Sequence, residues 1–273
     1  MAVRENPGRE DIADSVRRPG PALEVSRVSK SFGAVRAVSE ATFAIEPGSL
    51  TCLIGPNGAG KSTLLHCISG FLRQEDGRCR LEGVDISGWP AHRRAGAGLA
   101  TVFQSTRPLE GLDVWTNAMV GCHAWTKSDF LWGVLRPPWQ RREEGEIREA
   151  ARQALALVGL EGRLLDPAES LPIGQLRLLA IARVLAQRPR VLLLDEPVAG
   201  LRAAEKRRLM DVFRDLRARG LTQVLVEHDM QFVGSVADRV IVLDRGIVIA
   251  DGPPEQVRQD ERVISAYLGT AAL

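Results

Sequence analysis

The chain has 273 residues, enough to bury a large core in one domain with a subdomain, and its composition is that of a globular protein with few aromatics. A net charge of +2 makes no electrostatic case for a nucleic-acid partner. No apolar run reaches the roughly 18 residues that cross a bilayer, and the Arg-rich start lacks the apolar region of a secretion signal.

Residues 1 to 21 are rich in Arg, Glu, Asp, Pro and Gly and are expected to form a disordered tail. From Ala22 the pattern becomes one of strands. Leu23, Val25 and Val28, then Val35, Ala37 and Val38, then Phe43 and Ile45 predict short strands separated by turns. Phe32 falls in a loop between two of them, where it either stacks on a purine ring or belongs to the core. Cys52, Cys67, Cys79 and Cys122 lack paired spacing, so reduced, buried thiols are expected. The scattered His66, His92, His123 and His228 form no zinc pattern.

After Pro47-Gly48, the apolar run Leu50 to Ile54 leads into Gly55-Pro56-Asn57-Gly58-Ala59-Gly60-Lys61-Ser62-Thr63 and then a helical segment from Leu64. Strand, glycine-rich turn and helix in that order are the context a phosphate-binding loop requires. Its glycines let backbone N–H groups turn inward around an anion, and the helix adds its positive end. Lys61 can place a point charge on the β- and γ-phosphates, and the Ser62 hydroxyl can ligate Mg²⁺. The alternative is a glycine-rich β–α turn with no ligand, against which the strand before and the helix after weigh.

Strands are predicted over Gly77 to Gly83 and over Leu99 to Phe103, the second ending at Gln104. Gln104 either orients water or a metal ion, or is a solvated strand-end residue. Glu110 to Gln140 carries Trp115, Trp125, Trp132 and Trp139, and Pro137-Pro138 breaks any helix there. That segment is either a small helical subdomain with an aromatic core or an exposed docking surface. An amphipathic helix is predicted over 141 to 160. Leu171-Pro172-Ile173-Gly174-Gln175 reads as a loop feeding a helix from Leu176 to Ala186, whose N-terminus is a second potential anion site.

Arg190 to Pro197 contains a continuous apolar run with Asp195 and Glu196 at its C-terminal end, the pattern of a buried parallel strand delivering carboxylates to a sheet edge. Asp195 can hold Mg²⁺, and Glu196 can accept a proton from an attacking water. A charged helix follows over 203 to 219, and Val224 to His228 is a further buried strand with His228 at its end. His228 can bond a γ-phosphate or hold Glu196. A hairpin around Asp244-Arg245-Gly246 and a last helix over Pro254 to Leu268 complete the chain. The fold class is α/β: a P-loop (RecA-like) core over 22 to 270, with an N-terminal antiparallel β subdomain and a helical subdomain of about 105 to 178.

The phosphate loop, Gln104 after Val102-Phe103, the loop before Leu176, Leu194-Asp195-Glu196-Pro197 and Glu227-His228-Asp229 occur in the order of an ABC-transporter ATPase subunit. Within that family the chain resembles the ATP-binding subunits of branched-chain amino acid importers, the LivG type. The carriers are Phe103 to Leu109 leading into Gly111 to Val114, the Trp-rich insert with His123, and the ending Val263 to Gly269. The resemblance implies a peripheral subunit at the cytoplasmic face of the inner membrane, hydrolysing ATP with Mg²⁺ to drive uptake through a separate permease fed by an external solute-binding protein. It also implies a head-to-tail pair with a second ATPase subunit, identical or different. In that pair Phe32 would stack on adenine, residues 55 to 63 would hold the phosphates, and Ser62, Gln104 and Asp195 would serve Mg²⁺. Glu196 would be the base and His228 the γ-phosphate contact. Gly174 and Gln175 would reach the ATP of the other subunit, and residues near Gln104 to Asn117 would receive a permease helix. Urea or amide uptake, lipid export and a soluble ABC ATPase outside transport are the alternatives. Two positions depart from the family pattern: Pro172 replaces a small residue that usually bears a hydroxyl, and Arg202 replaces Asp or Asn.

Overall fold

The computed structural model describes residues 20–104, 107–124 and 138–268. The predicted disordered tail lies, but for its last two residues, outside them, as do Trp125 and Trp132. Two sheets form the frame. Strands β1 (Leu23–Phe32), β2 (Val35–Ile45), β4 (Asp76–Leu81) and β5 (Val84–Asp85) make an antiparallel sheet in the order β2-β1-β4-β5. The second sheet has the order β10-β9-β3-β8-β7-β6. It is built from β3 (Leu50–Ile54), β6 (Leu99–Val102), β7 (Val191–Asp195), β8 (Thr222–Val226), β9 (Arg239–Asp244) and β10 (Ile247–Gly252). Its strands β9, β3, β8, β7 and β6 are parallel, and β10 returns antiparallel to β9.

Strands β3, β7 and β8 are buried at every residue, so their sequences are mainly apolar rather than alternating. Leu192, Leu194 and Leu225 point into one core cluster, whereas Leu193, Val224 and Val226 point into the other. The second cluster also takes the inner face of the antiparallel sheet and Leu64, Leu65 and Ile68 of helix α1 (Lys61–Ser69). The first cluster is covered by helices: α3 (Val114–Val120), α4 (Pro138–Val158), α5 (Ile173–Leu185), α6 (Ala203–Ala218) and α7 (Met230–Val236). All four cysteines are free and buried, as expected.

Several boundaries differ from the sequence reading, each for a local reason. The separate short strands expected over Val35 to Ile45 are one strand, bent by register shifts against β1 with Glu40 at a φ of 50°. Phe32 is the last residue of β1 rather than a loop residue. Pro138 opens α4 instead of breaking it, because an N–H is not needed in the first helical turn. Likewise α5 begins at Ile173, three residues early, with Pro172 as its N-cap. The last helix is two, α8 (Pro254–Gln259) and α9 (Glu261–Leu268). Asp260 leaves the helical conformation between them, and its carboxylate accepts from the Arg262 N–H at 2.9 Å.

Like α7, the short helix α2 (Ala91–Gly96) has no counterpart in the sequence reading. Helix α2 carries Arg94, which is 1% exposed. The guanidinium donates to the carbonyls of Cys67 (2.8 Å), Ile68 (2.6 Å), Trp89 (2.9 Å) and Ser87 (2.9 Å). Cys67 and Ile68 lie in the last turn of α1, where carbonyls lack the regular helical partner, although the Cys67 oxygen also accepts from the N–H of the C-cap Gly70 at 3.3 Å. Arg94 therefore caps the C-terminus of the helix that the phosphate loop opens, and burial pulls its pKa below the usual arginine value.

Candidate active site

Sheet register brings the strand ends of the site together. Val226 of β8 pairs with Leu53 of β3 on one side and with Asp195 of β7 on the other. Val102 of β6 pairs with Leu194. The residues that follow these pairs, namely Gly55 onward, Glu196, Glu227-His228 and Gln104, therefore emerge at one edge, the carboxyl end of the parallel strands.

The loop between β3 and α1 is held by backbone constraints. Gly55 and Gly60 have φ of 151° and 98°, and a Cβ would fall onto the Leu243 carbonyl oxygen at the first and the Ala37 carbonyl oxygen at the second. Both glycines are thus required by the protein itself as well as by any anion. Lys61 is 7% exposed, and its ammonium donates to the Gly55 and Pro56 carbonyls at 2.8 and 2.9 Å. Burial lowers its pKa, opposed by the nearby Glu196 and Asp195. Pro56 and Ala59 are buried, Asn57 and Gly58 are exposed, and Thr63 lies half-buried in the first turn of α1.

Across the loop, the Ser62 hydroxyl donates to Asp195 Oδ1 at 3.3 Å. Burial raises the Asp195 pKa, partly offset by that hydroxyl. A hydroxyl and a buried carboxylate in contact form a hard oxygen pair of the type Mg²⁺ takes. Glu196 stands next, with its backbone at a φ of 47°, a left-handed conformation that costs a non-glycine residue about 1–3 kcal/mol. Its Oε2 accepts from Gln104 Nε2 at 2.8 Å, and His228 Nδ1 lies 3.8 Å from its Oε1. Lys61, Ser62, Gln104, Asp195, Glu196 and His228 are thus brought together.

Phe32 stands apart from the core: it is 50% exposed, with the Lys30 ammonium 5.5 Å from its ring centroid. The core alternative for this residue is excluded. Gly174 and Gln175 lie in the first turn of α5. A Cβ at Gly174 would collide with the Glu205 carboxylate, whose Oε2 accepts from the Arg202 N–H at 2.8 Å. The two sequence departures, Pro172 and Arg202, are therefore the N-caps of adjoining helices, and both are exposed.

Glu227 carries a role that the sequence reading passed over. Completely buried, it accepts from the Val198 N–H at 3.0 Å and the His228 N–H at 3.2 Å, tying the turn after Glu196 to the end of β8. The available signal was a carboxylate directly after a buried strand, a position where an unpaired charge is not tolerated. Burial raises its pKa above the usual 4.5. The folded chain then keeps this proton to higher pH than the unfolded chain, so stability falls as pH rises from about 4.5 through the raised value. Urea midpoints at pH 5 and pH 8 check this: the parent is expected to lose more stability over that range than Glu227→Gln. Asn117, also fully buried, organises the segment after Gln104. Its Oδ1 accepts from Leu109 N at 2.8 Å, and its Nδ2 donates to Leu109 O at 3.1 Å and Asp113 O at 3.0 Å.

Comparison with known proteins bears on the family of the chain. The ABC transporter family matches residues 38–199, and the branched-chain amino acid ATP-binding cassette transporter family matches 248–272. The chain is 40% identical over 252 residues to the high-affinity branched-chain amino acid transport ATP-binding protein BraF of Pseudomonas aeruginosa, covering 92% of this chain and 99% of that one. It is 36% identical over the same span to LivG of Escherichia coli, also a high-affinity branched-chain amino acid transport ATP-binding protein, with the same coverage. Among solved structures, the ADP conformation of an ATP-binding cassette of an ABC transporter superposes with a TM-score of 0.80 at 29% identity, covering 91% of this chain and 99% of that chain. Among the described residues, no helix is long and apolar enough to cross a membrane.

Proposed function

Because this chain belongs to the ABC transporter family of ATP-binding subunits, we propose that it hydrolyses ATP to drive uptake of branched-chain amino acids through a separate membrane permease. The observation that carries the reading is the contact between Gln104 and Glu196, at 2.8 Å, beside the phosphate loop. It joins the residue that would sense the permease-facing segment to the residue that would take the proton.

In this reading Phe32 offers its exposed face to the adenine, and residues 55 to 63 surround the phosphates. Lys61 leaves its two carbonyl partners for the β- and γ-phosphate oxygens. Ser62, Asp195 and Gln104 would supply oxygen donors to Mg²⁺, which would neutralise phosphate charge. Glu196 accepts the proton of the attacking water, and its strained backbone holds the carboxylate toward that water. His228 bonds the γ-phosphate and limits the movement of Glu196. The segment Gln104 to Asn117, braced by Asn117, receives a cytoplasmic helix of the permease. An external solute-binding protein delivers the amino acid and touches this chain only through the permease.

Gly174 and Gln175 serve the ATP of a second ATPase subunit. Pro172 brings neither a hydroxyl nor an N–H to that ATP, so one γ-phosphate contact is missing. Arg202 places a cation on the same face. A different partner subunit, with an intact loop of its own, would restore full activity to the ATP held by this chain. Pro172→Ser is expected to raise ATP turnover of a homodimer of this chain by about tenfold, the value of a charge-assisted hydrogen bond. An unchanged rate would show that the missing hydroxyl does not matter.

Two measurements test the whole assignment. A tagged pull-down from detergent-solubilised membranes is expected to recover two polytopic permease chains and a second ATPase. Deleting the chain is expected to abolish uptake of radiolabelled leucine, isoleucine and valine. Soluble partners alone would overturn the transport reading, and unaltered leucine uptake the substrate class.

A further inference from the structure

Helix α5 starts at the segment assigned to the neighbouring subunit's ATP and ends under the sheet, and two of its arginines grip this chain's own permease-facing segment. Arg177 Nη1 donates to the main-chain carbonyl of Gln104. Arg183 Nη2 donates to the carbonyl of Arg107 at 3.3 Å. Several helix arginines meet carboxylates one turn away, as Arg152 meets Glu149 at 2.7 Å and Arg148 meets Glu144 at 2.6 Å. Here the donors are spent on backbone oxygens more than 70 residues distant in sequence.

The position of Gln104 explains the consequence. Strand β6 ends at Val102, so no ladder bond holds the chain two residues later. Phe103 before it packs its ring against His66 and Phe71, and the Arg177 guanidinium holds the Gln104 carbonyl itself. The Gln104 side chain then reaches Glu196 Oε2 at 2.8 Å. An unbroken path runs from the first turn of α5, through Arg177 and Gln104, to Glu196.

We propose that Arg177 is a positioning residue for ATP hydrolysis: by fixing the Gln104 backbone it sets the orientation of Glu196, and through α5 it links that orientation to the neighbouring subunit's ATP. This rests on the active-site reading above. A guanidinium suits the task because its planar fork loses little freedom on bonding a carbonyl. Arg183 holds the same segment at Arg107, three residues further along.

The test uses the full-length chain purified with its membrane partners. Arg177→Ala is expected to lower kcat about tenfold with KM for ATP within about twofold, since the phosphate loop is untouched. Arg177→Lys, which keeps a donor, is expected to recover at least half of the loss. In a double-mutant cycle, Arg177→Ala added to Gln104→Ala is expected to slow the enzyme no further, because Arg177 acts through Gln104. Multiplying effects, a kcat within twofold of the parent for Arg177→Ala, or parallel losses in kcat, KM and thermal midpoint with no rescue by Lys would each overturn the inference. Glu196→Gln in the same preparation separates the two levels. If it turns over normally, the active-site reading fails; if it is inactive while Arg177→Ala is normal, only this inference fails.

Discussion

Glu196→Gln is expected to slow ATP turnover by about 10²–10⁴-fold, the contribution of a positioned general base, while leaving nucleotide affinity within about twofold. The amide has nearly the shape of the carboxylate but cannot take a proton. The phosphate loop, Lys61 and the Ser62–Asp195 pair are unaltered by the change, so binding is preserved. The Gln104 amide still finds an oxygen at position 196. The left-handed backbone at Glu196 is equally costly for Gln, so the comparison isolates the proton acceptor from the strain. Phosphate release measures turnover, and titration with a fluorescent ATP analogue measures affinity. Turnover within tenfold of the parent would remove Glu196 from the role of base and direct attention to His228.

Arg94→Met is expected to cost about 3–5 kcal/mol of stability, in the range that marks a broken buried network rather than a lost contact. Methionine fills much of the volume but donates to none of the four carbonyls that Arg94 satisfies. Two of those carbonyls belong to the last turn of α1, so the loss falls on the helix that begins with Lys61. Arg94→Lys is expected to recover little, because one ammonium cannot span four oxygens arranged around a planar guanidinium. Urea unfolding followed by circular dichroism gives the difference. A cost below about 1 kcal/mol would mean that water replaces the guanidinium.

Much of the candidate site is legible in the sequence because its motifs are local. The spacing of Gly55, Gly60, Lys61 and Ser62 is a property of one turn, and Asp195-Glu196 sits directly after an apolar run that can only be a buried strand. What is not legible depends on partners distant along the chain. Glu227 reads as one member of a strand-end triplet, and only the fold shows it bridging Val198 and His228. Arg177 reads as one of many arginines on a helix, and only packing shows it on the Gln104 carbonyl. Pro138 reads as a helix breaker and Pro172 as part of a loop feeding a helix; each stands at a helix start, where proline loses nothing, and how far the helix extends toward it is set by tertiary packing.

The sequence by itself determined the fold class and the chemistry: doubly buried strands from their continuous apolar runs, a phosphate loop from its glycines and lysine, and carboxylates at a strand end. These follow from periodicity and steric rules that act within about ten residues. The tertiary structure decided which strand ends meet. Val226 pairs with both Leu53 and Asp195, and this register brings Gln104, Glu196 and His228 to one edge. It also decided that a lone buried arginine would close the helix behind the phosphate loop. Strand order and helix capping are contests among distant partners for the same unsatisfied backbone groups, and no local pattern records who wins them.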